Sequence, residues 1–326
     1  MNSDIDFDVP AEALDKLNLI FKVSNDQSLS SAILNGKSQT VKASSLCSWI
    51  SERVEWNDTI YPPIDFSSGP QNTVQKISNT ESTLLLANVS KNTILIDEST
   101  CGTIGNAYMA NCADCVIYVA VPIAHVSIIG CVDCEIILMA VTGTVTVSLS
   151  EKVILRTVSA HIRLENVIDT QLFIHSSRVP LLTGDTRGIV IAPFNVVWNG
   201  HEKLLVQHTT LHPDSSHSTL WSQPICACLS ESPYTLLQPA KFRVVCFPDF
   251  TTDTAKSIAV CLPEVYCEAL LERMNLISDL KREIQSIGDE ANITKMNAVI
   301  SGHFREWLTS NNKTRVMVDL IKQKLQ

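Results

Sequence analysis

Residues 112–139 read CADCVIYVAVPIAHVSIIGCVDCEIILM, and the pattern Cys-x-Asp-Cys occurs twice within them. The first copy begins at Cys112 and the second at Cys131, so the offset is 19 residues (131 minus 112). A short run rich in Val and Ile follows each copy, as β-strands require. A fixed period this short predicts a solenoid in which each repeat is one coil.

Similar β-type runs extend outward from this stretch, between about residues 84 and 195, in two interleaved series. The first series comprises 116–119, 136–139, 153–155, 172–174 and 189–191, and the second comprises 126–128, 145–147, 162–164 and 181–183. Successive members lie about 17 to 20 residues apart. Helical repeats usually need more than ~30 residues, and the Leu/Asn pattern of leucine-rich repeats is absent. The spacing therefore predicts a mainly β protein built on a parallel β-helix of about five or six coils.

The composition changes on both sides of the coils, which predicts a chain of four parts. These are a partly helical leader with a linker (1–80), the β-helix (81–200), a loop and strand extension (201–262) and a helical region (263–326).

Within the leader we expect a helix from Ser45, as its cap, to about Trp56, followed by a linker over 61–72 that is rich in Pro, Ser and Gly. In the extension we expect a strand pair near 235–237 and 242–245. Amphipathic stripes predict three helices after Pro263, of which the second and third cover 293–308 and 314–325.

Composition and charge limit the function classes. The chain has 326 residues, 45% of them hydrophobic, and a net charge of -9. Broad binding to nucleic acid or to anionic membranes needs dense Lys and Arg, so we expect neither. The acidic start is unlike a signal peptide, and no apolar run approaches the ~18 residues of a membrane span. We therefore expect a cytoplasmic protein whose eleven cysteines are reduced.

The four cysteines Cys112, Cys115, Cys131 and Cys134 have two interpretations. Their spacing, C-x2-C-x15-C-x2-C, is typical of zinc sites. In a solenoid, however, the two pairs lie one coil apart and stack as a ladder of small apolar side chains. A ladder places the sulfurs along a line, whereas zinc needs them to converge as a tetrahedron. We favour the ladder and expect no metal and no cofactor.

Arg163 is the candidate catalytic residue. In the run Ile162-Arg163-Leu164, strand alternation turns Ile162 and Leu164 inward and Arg163 outward, next to Thr146 of the adjoining coil. One interpretation is a solvated arginine paired with Glu165, which contributes little. The other is an arginine finger, which stabilises charge on a transferring phosphoryl group.

Several stretches resemble the tubulin-binding cofactor C domain. They are the coils with Cys-x-Asp-Cys, residues 159–164 (SAHIRL) and residues 191–194 (IAPF). The resemblance to the TBCC domain-containing protein 1 family continues beyond the coils, through residues 220–224, 236–239, 242–248, 262–266 and 304–308.

The resemblance implies a right-handed β-helix, and it also bears on activity. Relatives of this superfamily are known as GTPase activators for tubulin or an Arf-like GTPase, through a Gln-x-x-Arg motif. The arginine of that motif falls on Arg163, but Ala160 replaces the glutamine. The subfamily that this chain resembles most is regarded as lacking the arginine finger. It is known for roles at centrosomes and basal bodies, in flagellar organisation and in positioning organelles such as the Golgi.

The expected function is therefore that of a non-catalytic scaffold of the cytoskeleton, at centrosomes, basal bodies or spindle poles. Its expected partners are proteins, with tubulin, other centrosomal or basal-body proteins, and an Arf-like GTPase as the candidates. The alternative is a GTPase-activating protein for tubulin or an Arf-like small GTPase, with Arg163 as the finger. A carbohydrate-binding or lytic β-helix is a third class, and the small number of aromatic residues argues against it.

Overall fold

The computed structural model describes residues 6–17, 29–34, 38–53, 73–78, 82–97, 104–207, 220–248, 258–286, 290–311 and 313–325. It divides into two compact units, Met1–Phe66 and Ser67–Gln326. The predicted linker over 61–72 lies outside the described residues.

In its described residues, the first unit contains three short helices and one strand pair. Its elements are β1 (Asp8–Pro10), α1 (Ala11–Lys16), α2 (Leu29–Leu34), β2 (Thr40–Lys42) and α3 (Ala43–Arg53), and β1 pairs with β2 in antiparallel orientation. The helix predicted from Ser45 is α3, which begins two residues earlier, so the assignment of Ser45 as its cap was wrong. The Asp6 carboxylate instead accepts hydrogen bonds from the main-chain N–H and the hydroxyl of Ser44. These bonds lower the pKa of Asp6.

The second unit is built on strands, most of which belong to one large sheet. They are β3 (Thr73–Ser78), β4 (Ser82–Ala87), β5 (Thr93–Ile96), β6 (Ile104–Ala110), β7 (Val116–Ile129), β8 (Glu135–Ser148), β9 (Ile154–Glu165), β10 (Gln171–Ser176), β11 (Leu181–Gly184), β12 (Ile189–Pro193), β13 (Val196–Val197), β14 (Ile225–Cys228), β15 (Tyr234–Leu236) and β16 (Val245–Cys246).

These strands wind as a parallel β-solenoid with two long sides. Flank 1 consists of β4, β6, the second halves of β7, β8 and β9, then β11 and β14. Flank 2 consists of β5, the first halves of β7, β8 and β9, then β10, β12 and β15. On the short third side, one residue of each coil forms an isolated β-bridge with the equivalent residue of the next coil. These bridge residues are, in order, Ser90, Ala113, Val132, Glu151, Ile168 and Arg187. Six bridge residues define coils 1 to 6, and β14 with β15 forms a terminal rung.

The register confirms the predicted repeat. On flank 2, Ile117 pairs with Ile136, Ile136 with Leu155, Leu155 with Leu172 and Leu172 with Ile191. All five side chains are buried in one core that runs along the axis. Stacked coils of this kind place equivalent side chains about 4.8 Å apart, so each coil covers the apolar side of the one before.

Each coil turns the corner between its flanks through two residues with left-handed backbone angles. The first position is taken by Asn88, Asn111, Gly130, Leu149, Asn166 and Gly184, and the second by Lys91, Asp114, Asp133, Lys152, Asp169 and Gly188. Asn, Asp and Gly adopt this conformation at low cost, whereas other side chains crowd the backbone. A Cβ atom on Gly130 would lie 2.6 Å from Oδ1 of Asn111 in the coil before. The position of Gly130 next to Asn111 therefore requires a residue without a Cβ atom.

The extension over 201–262 continues the solenoid instead of forming a separate strand pair. β15 pairs with β12, and β16 (Val245–Cys246) pairs with β13, so the predicted pairing of 235–237 with 242–245 was wrong. Aromatic side chains close part of the core at this end: Tyr266 contacts Trp221 and Phe242 edge-on, with ring centroids 5.9 and 5.1 Å apart. The four-part division of the chain stays a prediction.

Among the residues that the structure describes, four α-helices follow the sixth coil, three of them in the predicted tail. They are α4 (His201–Val206), α5 (Glu264–Ser286), α6 (Glu290–Ser310) and α7 (Lys313–Leu325). α4 and α7 cover the outer face of flank 2, where they complete a second apolar cluster, here called the outer cluster. Its buried members are Val116, Tyr118, Ala120, Ile137, Met139, Ala140, Val158, Phe194, Val196, Leu204, Leu205, Phe247, Val260, Val316 and Leu320.

Leu149 is the corner residue that fits its backbone conformation least well. Its φ is 50°, and its side chain is 65% exposed, so it gains little from packing. We expect Leu149→Asn to raise the free energy of unfolding by about 1 kcal/mol, because an amide side chain tolerates the left-handed conformation. Leu149→Ala keeps the Cβ strain and is the matched control. Urea unfolding followed by circular dichroism measures both, and an equal effect of Asn and Ala would contradict the explanation.

Candidate functional site

Arg163 lies in the second half of β9, on the outer face of flank 1. Ile162 and Leu164 on either side of it are 0% exposed and point into the core. Arg163 pairs with Thr146 of coil 4 on one side and with Leu181 of coil 6 on the other. The structure therefore gives Arg163 the facing and the neighbour that the sequence predicts.

The guanidinium of Arg163 has one charged partner among the described residues. Its Nη2 donates a hydrogen bond of 2.8 Å to Oε2 of Glu165, and the arginine side chain is 35% exposed. Its Nε is buried and has no hydrogen-bond partner in the described part of the chain. An ion pair this exposed stabilises the fold little. The pair holds the guanidinium along the strand and leaves part of it accessible.

His161 lies two residues before Arg163, on the same outer face. Burial lowers its pKa, and the positive charges of Arg178 and Arg163 lower it further. The imidazole is therefore neutral near pH 7, and the only charges on this strand face are those of Arg163 and Glu165.

Ala160, at the glutamine position of the family motif, lies where β9 bends from flank 2 to flank 1. Its methyl group packs against the outer cluster, whereas Arg163 points outward from flank 1. A methyl group neither donates nor accepts a hydrogen bond. The position that would orient a water molecule in the family motif is therefore occupied by a packing residue.

The outer face of flank 1 becomes more exposed toward the last coils. In the column that contains Arg163, Tyr108 is 2% and Ser127 is 4% exposed, whereas Ile225 in the terminal rung is 56% exposed. The accessible part is a mixed polar and apolar surface, here called the open patch, formed by Thr146, Arg163, Glu165, Leu181, Thr183 and Ile225.

Flank 2 is closed by a charge network that sequence analysis did not find. Glu135 accepts a hydrogen bond of 2.7 Å from Nη1 of Arg156 and one of 2.8 Å from Nζ of Lys313 at the start of α7. Arg156 also lies over the ring of Phe173, 4.9 Å from its centroid. Burial raises the pKa of Glu135, but the two cations outweigh it and leave the pKa below its usual value.

Two further contacts hold α7 along flank 2. Nη1 and Nη2 of Arg315 donate hydrogen bonds of 2.8 and 2.9 Å to the two carboxylate oxygens of Asp114, and Nη2 also reaches the Asp114 carbonyl. The hydrogen bonds from Arg315 lower the pKa of Asp114. Toward its end, α7 places the Gln323 amide on the main chain of Thr93 and Leu95. The helix thus runs from coil 3 to coil 1.

A cavity of about 210 Å³ lies between α7 and the corner column, lined by Asp114, Glu135, Lys152, Lys313 and Arg315 among others. The carboxylates of Asp114 and Glu135 are paired with the cations of α7. The cavity therefore belongs to the contact between α7 and the solenoid.

The four cysteines of the repeated motif form two buried columns at the corner. Cys112 and Cys131 occupy one column, Cys115 and Cys134 the other, and each is at most 1% exposed. Their thiols donate to main-chain carbonyls, for example Cys134 Sγ to Cys112 O at 3.3 Å. Hydrogen bonds among the thiols raise the pKa of Cys115 and Cys131 and lower the pKa of Cys112 and Cys134.

Among the described residues, His, Cys, Asp and Glu side chains form no group of three or more that is placed to hold a metal ion. The assignment of the four thiols as packing residues, and the absence of a metal, stay predictions.

Comparison with known proteins finds a family to which the coils are similar. Residues 104–224 match the family model of tubulin binding cofactor C. This matched stretch of the chain resembles a TBCC domain. The stretch holds coils 2 to 6, and with them both Ala160 and Arg163, whereas coil 1 and helices α5 to α7 lie outside the matched residues.

Two relatives extend the comparison. TBCC domain-containing protein 1 of Xenopus tropicalis is 22% identical over 250 residues, which cover 76% of this chain and 45% of that protein. The chain thus spans less than half the length of this relative. The solved structure of tubulin binding cofactor C from Leishmania major is 10% identical, covers 48% of this chain and 98% of that chain, and has a TM-score of 0.30.

No helix in the described part of the chain is both long and apolar enough to cross a membrane.

The contact between α7 and flank 2 makes docking of the helix dependent on pH. The folded-state pKa values of Glu135 and Asp114 are depressed, so their contribution is present above their unfolded pKa values of about 4 and is lost as pH falls through the folded ones. We expect α7 to lose amide protection below about pH 4, before the core amides of coils 3 and 4. Hydrogen exchange, corrected for intrinsic rates, measures both in one sample. Simultaneous loss in α7 and in the coils would contradict this order.

Proposed function

We propose that this protein is a non-catalytic scaffold of the cytoskeleton, located at microtubule-organising structures such as centrosomes, basal bodies or spindle poles. The stretch that resembles a TBCC domain relates it to proteins that bind tubulin, by the name of the family. In this proposal, tubulin or proteins associated with it dock on the open patch. The single observation that carries the proposal is an accessible, rigid patch on a TBCC-like domain that has alanine at the glutamine position of the family motif.

The architecture of the patch supports a role in binding. Its residues lie on neighbouring strands of one sheet, over a core whose side chains are fully buried. A solenoid flank of this kind presents side chains at fixed spacings and changes little on binding. The patch combines one exposed aliphatic residue, Ile225, with one ion pair, Arg163 and Glu165. This mixture is typical of interfaces between proteins that also exist separately.

The chemistry at Arg163 supports the absence of catalysis. Activation of a GTPase needs a group that orients the attacking water and a cation that reaches the transferring phosphoryl group. Ala160 cannot orient water. The guanidinium of Arg163 is engaged by Glu165 on its own strand, so it would have to leave this partner before it enters another protein.

Localisation tests the scaffold. A tagged full-length chain should be enriched at microtubule-organising structures. The enrichment of the double variant Arg163→Glu with Leu181→Glu should fall to the level of the tag alone. The variant replaces a cation and an apolar side chain of the patch with two carboxylates, next to the carboxylate of Glu165. The matched control changes two cations to Glu on the exposed surface of α5, at Lys281 and Arg282, and should keep the enrichment. A diffuse wild-type protein would contradict the proposal.

A GTPase-activating function remains the second candidate, because the Arg163 side chain is partly exposed and points outward. Single-turnover GTP hydrolysis by tubulin, and separately by an Arf-like small GTPase, distinguishes the two functions. A scaffold predicts that Arg163→Ala changes the rate by less than about twofold, whereas a finger predicts a loss of ~10²-fold or more. Glu165→Gln frees the guanidinium and should increase the rate only if Arg163 is a finger.

A further inference from the structure

The two ends of the solenoid differ in how their outermost strands are covered. At the first end, β4 is covered by β3, which pairs with it along six residues in antiparallel orientation. The outer edge of β5 is also occupied, because the Gln323 side chain accepts a hydrogen bond from Leu95 N at 2.9 Å and donates one to Thr93 O. The Gln323 amide bonds main-chain groups that a neighbouring strand would otherwise bond. The outermost strands of both flanks are therefore covered at this end.

At the other end, no strand of the described part of the chain covers the outer edge of β14. Ile225 N donates to Pro180 O at 2.8 Å and Leu229 N to Gly184 O at 3.0 Å, so the odd-numbered residues face β11. Because successive residues of a strand point to opposite sides, the main-chain N–H and C=O of Cys226 and Cys228 face away from the solenoid. Among the described residues, β14 pairs with β11 alone, and nothing bonds to these four main-chain groups.

The side chains of this edge are also uncovered. In the register of flank 1, Cys226 continues the inward column of Leu164 and Leu182, yet Cys226 is exposed where both leucines are 0% exposed. The flanking apolar residues Ile225 and Leu229 are 56% and 83% exposed. The strand sequence Ile-Cys-Ala-Cys contains neither the charges nor the proline that usually protect an edge.

We propose that β14 is a docking site for an extended segment of a partner protein, which adds one strand to flank 1. An exposed strand edge with unpaired N–H and C=O groups is matched by another extended main chain. The residue of the partner segment that stacks on Cys226 continues an aliphatic column, so we expect it to be aliphatic. Its two neighbours in the partner segment face solvent beside Ile225 and Ala227.

The size of the edge selects a peptide segment over a second copy of this chain. β14 has four residues, about 13 Å at 3.3 Å per residue, whereas a stable interface between folded proteins uses about 20 to 30 residues on each side. Head-to-tail stacking of one solenoid on the next is excluded by the first end, where β3 and Gln323 occupy the edges that a terminal rung would need.

The test uses a peptide from the chain itself. The probe is a dye-labelled, amidated peptide of residues 144–149 (TVTVSL), which contains a strand of flank 1 with polar residues outward and valines inward. We expect a saturable rise in fluorescence anisotropy with the full-length protein. Alternate residues of the probe direct their main-chain N–H groups toward β14, and N-methylation of this set should weaken binding at least about tenfold. N-methylation of the other set, whose N–H groups face away from β14, should leave binding unchanged.

Protein variants complete the test. Cys226→Pro removes an N–H that faces outward, so it spares the bonds to β11 and should weaken binding at least about tenfold. Cys226→Ala keeps this N–H and loses only the thiol, so it should weaken binding much less than Cys226→Pro does. Thermal unfolding shows whether each variant is folded. The methylation series uses wild-type protein only, so it decides the question even if Cys226→Pro unfolds.

Four results would overturn the proposal. They are no saturable binding by the wild type, methylation effects without alternation, full binding by folded Cys226→Pro, and a dimer in sedimentation that Cys226→Pro dissociates. The last result would identify a second copy of the chain as the occupant of this edge.

Discussion

The main-chain hydrogen bonds between successive coils are the constraint on which the rest of this structure depends. Each coil donates and accepts along both flanks and at its bridge residue, so its position is set by the coil before it. A shift of one residue would turn every inward side chain to solvent. The corner residues keep this register because they end the strands of successive coils at equivalent positions. The facing of Arg163, the columns of cysteines and the exposure of β14 all follow from it.

The same constraint explains which features the sequence predicts. A repeat of fixed length carries its own register, so spacing alone predicts the second strand of coil 2 and the strands of coils 3 to 6. It also predicts the facing of Ile162 and Arg163 and the stacking of Cys112 near Cys131. Coil 1 departs from this length, since the bridge residues Ser90 and Ala113 lie 23 residues apart, and its strands were not predicted.

Contacts between distant parts of the chain have no such signature. Lys313 meets Glu135 across 178 residues, and neither residue belongs to a motif. The sequence does contain one indication of this contact, which is a charged residue at a strand position whose neighbours in the adjoining coils are apolar. Glu135 is such a residue, since it pairs with Val116 on one side and Ile154 on the other. Such a residue indicates that another element covers the strand, because a charge in that environment needs a partner. The identity of the partner depends on tertiary packing, which sequence spacing does not describe.

The position of α7 has a consequence for synthesis of the protein. Arg315 lies 201 residues after its partner Asp114, so coils 1 to 3 leave the ribosome long before the helix that covers them. At translation rates of about 5 to 20 residues per second, the interval is roughly 10 to 40 s. During this time the apolar outer face around Tyr118 and Ile137 is exposed on a growing chain. The growing chain therefore carries an apolar surface open to aggregation in this interval, which α7 helps to cover in the finished molecule.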